Sequence, residues 1–143
     1  MARTKTNANA EAIETLRRDA MMAHLLDALD AGTDIGHYGR FVFATIARHF
    51  LSEEELISLL ARDADFDEAE ARRLVHDVNE RDYSPPRREK ILDYQSRQEF
   101  AIIPNTDDPD AGNVYRDLTF PDKVYDHISE YRHEKEHAGA ANQ

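Results

Sequence analysis

Residues 36–50, GHYGRFVFATIARHF, constrain this chain more than any other stretch. Phe41, Ile46 and Phe50 recur at helical spacing, and Val42 and Phe43 widen the apolar face beyond a single stripe. A helix with so wide an apolar face has to be covered on several sides. The segment therefore predicts a central, largely buried helix with the rest of the chain packed around it.

The flanking sequence supplies the cover. Ile13, Leu16, Ala20, Leu25 and Leu29 fall near one stripe and predict a first helix over residues 10–31, with Gly32 as its stop. Ser52-Glu53-Glu54-Glu55 reads as a capping box that opens a helix carrying Leu56, Ile57, Leu59 and Leu60. Asp67-Glu68-Ala69-Glu70 is a similar start for a fourth helix through Leu74, Val75 and Val78. Ser84-Pro85-Pro86 breaks the chain and opens a fifth helix with Ile91, Leu92 and Tyr94 inward. Residues 101–114, AIIPNTDDPDAGNV, read as one long acidic loop, and Pro121 as the start of a last helix carrying Val124, Tyr125, Ile128 and Tyr131. The small polar ends, residues 1–10 and 138–143, are expected to be disordered tails. About six helices with short links predict an all-α fold, a single compact domain over residues 11–137.

Composition narrows the chemistry. At 143 residues the chain can bury roughly two-thirds of its unfolded surface, enough for one real core. No cysteine is present, which removes disulfides, thiolate metal sites and cysteine nucleophiles together. With 5 glycines, none in a GxGxxG or GxxxxGK[ST] arrangement, there is no phosphate-binding loop of those kinds. No apolar run approaches the ~18 residues of a membrane span, and MARTKTNANAEA lacks the apolar stretch of a signal peptide, so a cytoplasmic protein is expected. The net charge of −11 opposes non-specific binding to phosphate backbones. It comes from 16 Asp and 13 Glu against 14 Arg and only 4 Lys, the balance expected of a halophilic protein. In molar salt the acidic field reaches only ~3 Å, so a local basic site is compatible with the total.

Few residues suggest catalysis. His133 and His137 are spaced i, i+4, yet they have no third ligand on their face and sit near a helix end. His24 and His49 lie within apolar stretches and read as half-buried. Asp107, Asp108 and Asp110 do not match a calcium loop and read as a solvated turn. No Ser/His/Asp arrangement is signalled, and the chain is expected to be noncatalytic.

The informative segment is GTDIGHYGRFVF, residues 32–43. It places His37 and Arg40 one turn apart at the mouth of the central helix. Arg presents parallel donors to a phosphate, His adds one more, and a helix N-terminus adds free N–H groups and a positive dipole end. The competing reading is that Arg40 pairs with a neighbouring carboxylate such as Asp34 or Asp63.

The same segment and its surroundings resemble the C-terminal domain of the large subunit of archaeal and eukaryotic DNA primase. That family has a G-x-N-L-P-H-x-x-R-F-like motif, then an S-x-E-E-type helix, a D-F-D-type turn, a Y-x-P-P-S-C motif and a final A-C-x-x-Y. Here these read Gly32-Thr33-Asp34-Ile35-Gly36-His37-Tyr38-Gly39-Arg40-Phe41, Ser52-Glu53-Glu54-Glu55, Asp65-Phe66-Asp67, Tyr83-Ser84-Pro85-Pro86 and Ala111-Gly112-Asn113-Val114-Tyr115. The match spans roughly residues 20–118, in order.

The resemblance also marks a departure. The family holds a [4Fe–4S] cluster on four cysteines, and the corresponding positions here are Met21, Arg88, Ile103 and Gly112. None ligates a cluster in the usual way, so the resemblance implies the same helical fold without a cofactor and with an apolar plug in the cluster's place. In this it is similar to the small noncatalytic primase subunits that lack the cluster.

What the resemblance implies for function is binding. The family's domain grips the primer 5′ end and the initiating nucleotide's phosphates beside the template, and its His and Arg correspond to His37 and Arg40. Tyr38 between them can stack on a base or sugar. Arg48, two turns beyond Arg40, either extends the path or forms a salt bridge. Arg87 and Arg88 follow at a helix start, with Arg88 read as turned outward to phosphate rather than inward to an acid. The implied partners are a primer–template junction and a separate catalytic primase subunit. The alternative is an acidic protein–protein interaction module that kept the fold and lost the nucleic-acid site.

Overall fold

The computed structural model describes residues 10–125. Eight helical segments and no strand occur among them, so the all-α expectation holds. In chain order they are α1 (residues 10–16), α2 (Ala20–Asp30), α3 (Gly36–Ala47), α4 (Glu53–Leu60), α5 (Glu68–Glu80), α6 (Arg88–Gln95), α7 (Val114–Asp117) and α8 (residues 122–125). The tails and the expected positions of Ile128, Tyr131, His133 and His137 lie outside the described residues.

α3 is the centre. It packs against α2, α4, α5 and α6, and six consecutive residues from Val42 to Ala47 are fully buried. Thr45, the polar member of that run, donates its hydroxyl to the Val42 carbonyl at 2.8 Å. A buried hydroxyl is thereby satisfied within its own helix.

Local signals set most boundaries. Asp67 and Glu70 form a complete capping box at α5, while Ser52 makes one arm of a box by accepting from the Glu55 N–H at 3.2 Å. α2 ends where Gly32, at φ +71°, takes the left-handed conformation. There Gly32 N–H bonds the Leu29 carbonyl and Thr33 N–H bonds Ala28, a Schellman motif. α5 ends in the same motif with Asp82 at φ 51° in place of glycine.

Two expectations are corrected. Residues 10–31 do not form one helix: the chain turns at 17–19, because Asp19 accepts from the Met22 N–H at 2.9 Å and caps α2. The acidic loop differs at its ends, although Asp107, Asp108 and Asp110 are exposed as the solvated-turn reading expects. Ile102 and Ile103 are fully buried, and Val114 already starts α7.

Candidate functional site

At the mouth of α3 three backbone donors of the expected anion cradle are already engaged. Asp63 Oδ2 accepts from the Ile35 N–H at 2.9 Å, Asp34 Oδ1 from Gly36 N–H at 2.8 Å, and the Gln98 carboxamide oxygen from Tyr38 N–H at 3.0 Å. Arg40 lies beneath them, 8% exposed, with one guanidinium nitrogen 3.2 Å from both Asp34 and Asp63. Its guanidinium also covers the Phe66 ring, 4.5 Å from the centroid. Both carboxylates named as competing partners in the sequence are therefore used. His37 projects from the same turn and is exposed.

The other expected residues are spread over the molecule. Arg48 sits at the far end of α3, ~12 Å along the axis from Arg40. It donates to the Asp82 carboxylate and the Tyr83 carbonyl, both at 2.8 Å, and so ties α3 to the end of α5. The salt-bridge alternative describes it. Arg87, exposed, precedes α6.

Arg88 corrects its outward reading. Its Nε donates to the Ala111 carbonyl at 3.0 Å, and a terminal nitrogen reaches Thr106 at 3.0 Å and Asp108 at 3.4 Å. The side chain turns inward because it gathers the carbonyls of the acidic loop, where no regular structure satisfies them. A cavity of about 260 Å³ adjoins it, lined among others by Arg87, Gly112, Asn113 and Tyr115.

Of Met21, Arg88, Ile103 and Gly112, the last three lie together. Gly112, at φ +87°, faces Ile103 so closely that a Cβ would overlap Ile103 Cδ1, and it would lie 3.6 Å from Arg88 Cγ. Ile103 is held by Gln95, which accepts from its N–H at 2.7 Å and donates to its carbonyl at 3.3 Å. Met21, 1% exposed, is one helical turn from His24, whose ring stacks on Phe100 and bonds the Ala101 carbonyl at 3.0 Å. The α2 face that carries Met21 thus meets the segment that leads into Ile103. Among the described residues no three His, Cys, Asp or Glu side chains converge as metal ligands.

A row of rings, of which the sequence singles out only His37 and Tyr38 as site residues, runs beside the mouth. His37 meets Tyr38 edge-on at 5.3 Å, and Tyr38 stacks parallel on Tyr94 of α6 at 4.8 Å. Phe41 abuts Tyr94 at 6.1 Å and Tyr83 at 5.3 Å, both edge-on. Tyr38 and Phe41 share a face of α3 at i, i+3 spacing. In the sequence Tyr94 reads only as a core residue and Tyr83 only as part of a proline motif, because nothing local shows that α6 lies against α3.

No helix among the described residues is long and apolar enough to cross a membrane. No protein-family model matches the chain, and neither a curated protein nor a solved structure matches it.

Proposed function

We propose that this chain is a noncatalytic, nucleic-acid-binding accessory domain of replication priming, similar to the C-terminal domain of the primase large subunit without its cluster. In this role it holds the primer 5′ end or the initiating nucleotide's phosphates for a separate catalytic primase subunit, in the cytoplasm and without a cofactor. The observation that carries the reading is the juxtaposition of Arg88, Ile103 and Gly112. These positions are 15 and 9 residues apart in sequence, and the resemblance aligns each of them to a ligand of one cluster. Their packing is what a cluster site closed by side chains would look like. His37 on α3 and Arg87 just before α6 are both exposed, and this reading assigns the outside phosphate to them.

The test is fluorescence anisotropy with a primer–template whose primer carries a 5′-triphosphate, titrated from low to molar salt. Binding that depends on the triphosphate and weakens in His37→Ala and Arg87→Ala is expected. Equal affinity for a 5′-hydroxyl primer overturns the phosphate role.

A second reading has one observation in its favour: Arg40 is held by Asp34 and Asp63 rather than open to a ligand. On that reading the domain is an acidic protein–protein interaction module. Absence of binding at every salt concentration would support it.

A further inference from the structure

The geometry points to the ring row from His37 to Tyr83 as a stacking platform for the bases of single-stranded nucleic acid. This inference rests on the nucleic-acid-binding reading and adds where the bases, as distinct from the phosphates, are held.

Exposure is the first reason. Tyr83 is the one large apolar side chain among the described residues that stands open to solvent, at 37%. At the other end of the row His37 is exposed as well. Between them Tyr38, Tyr94 and Phe41 are half-buried, so the row is neither pure core nor loose surface.

Rigidity is the second. Tyr83 follows the left-handed turn at Asp82, its N–H bonds the Val78 carbonyl, and Arg48 holds its own carbonyl at 2.8 Å. Arg81 reaches its hydroxyl at 3.5 Å. The Tyr38–Tyr94 pair joins two helices at an interplanar angle of 12°. Rings fixed in advance lose little conformational freedom when a base stacks on them.

Charge selects the occupant. Residues 81–97, which carry Tyr83 and Tyr94, hold five basic side chains and three acidic ones, whereas the whole chain carries −11. Asp82 is paired with Arg48 and Lys123, Asp93 with Arg97, and Arg81 with Asp77 outside the segment. Lys90 has no carboxylate partner among the described residues and lies 5.8 Å from the Tyr94 centroid. A locally cationic strip with interleaved aromatic rings fits a polyanion whose bases have π-faces. An acidic protein partner would offer charge without a run of rings to stack.

The experiment compares a fluorescein-labelled twelve-residue oligothymidylate with an abasic oligomer of the same length, by anisotropy at fixed salt. Wild type is expected to bind the thymidylate about tenfold more tightly than the abasic backbone. Tyr83→Ala should lose about fivefold on the thymidylate and nothing on the abasic oligomer, while Tyr83→Phe retains wild-type affinity. Lys90→Ala should weaken both oligomers alike and lower the salt slope by about 0.7. Equal binding of both oligomers by wild type overturns the platform and leaves the nucleic-acid reading standing. No binding of either overturns both and makes the row a surface for a protein.

Discussion

Asp63 and Arg40 are joined beneath the mouth of α3 by a single oxygen with two jobs. Asp63 Oδ2 takes the Arg40 guanidinium at 3.2 Å and the Ile35 N–H at 2.9 Å, while Oδ1 takes Asp65 N–H at 2.8 Å. The carboxylate side chain is fully buried, and that of Arg40 nearly so. Removing one member of such a pair leaves an uncompensated charge in the interior. Asp63→Ala is therefore expected to cost about 3 kcal/mol in urea denaturation. Asp34→Ala removes the half-exposed partner and should cost about 1 kcal/mol or less. Equal costs would mean that Arg40 depends on both acids alike.

Gly112 and Ile103 make a second prediction. A methyl at Gly112 collides with Ile103, and φ +87° is strained for any L side chain. Gly112→Ala should destabilise by about 2 kcal/mol, part collision and part backbone. Ile103→Ala alone leaves a cavity and should cost about 3 kcal/mol. In the double variant the new methyl enters the space Ile103 vacates, so the two costs should sum to more than the double variant loses. Strict additivity in thermal or urea unfolding would show that the two residues do not share that space.

The legible parts of the fold are those decided within a turn or two of sequence. The wide apolar face of α3, the caps at Ser52 and Asp67 and the stop at Gly32 all depend on near neighbours. The break before α2 escaped because Asp19 sits inside an otherwise continuous amphipathic stripe, and its capping role shows only in its bond to Met22. The acidic loop escaped for a different reason. Its order comes from Arg88, Gln95 and Gln98, and Gln98 bridges the Ile35 and Phe100 carbonyls across 63 and 2 residues of sequence. Both partners of Arg40 were readable as alternatives, yet only the fold brings Asp34 and Asp63 to the same guanidinium nitrogen. Tyr38–Tyr94 stacking is likewise a product of the α3–α6 contact.

Asp19 gives stability an acid-side dependence. Burial, reinforced by the Asp117 carboxylate beside it, raises its carboxyl from 3.8 to about 7, against the lowering effect of the Met22 N–H. The folded state thus keeps a proton that the unfolded chain releases above pH 3.8. Stability from this group is full below that pH and declines as pH rises to about 7, where the folded carboxyl also ionises. Asp19→Asn keeps an oxygen for the α2 cap without the titration. The variant should flatten this decline and be more stable than wild type at pH 8, as read by urea midpoints across pH. A variant whose midpoint still falls between pH 4 and 7 as in wild type would assign the slope to other groups.

His49 acts in the opposite sense over part of the same range. Burial, with Arg48 adding to it, lowers its ring from 6.5 to about 4 despite the opposing Asp82. The ring lies edge-on to Phe120 at 5.7 Å, in a contact that suits a neutral imidazole. Between pH 4 and 6.5 the unfolded chain holds a proton at this site that the folded state lacks. Its stabilisation is present above pH 6.5 and disappears as pH falls toward 4. Below pH 6.5 the contributions of His49 and Asp19 therefore run against each other, whereas from 6.5 to 7 only the decline due to Asp19 acts. His49→Gln should remove the acid-side loss and expose the full slope of Asp19 in urea midpoints. Proton NMR provides the direct check: the His49 ring should stay neutral at pH 5.5. A His49 resonance that titrates near 6.5 would remove the basis for the opposed slopes.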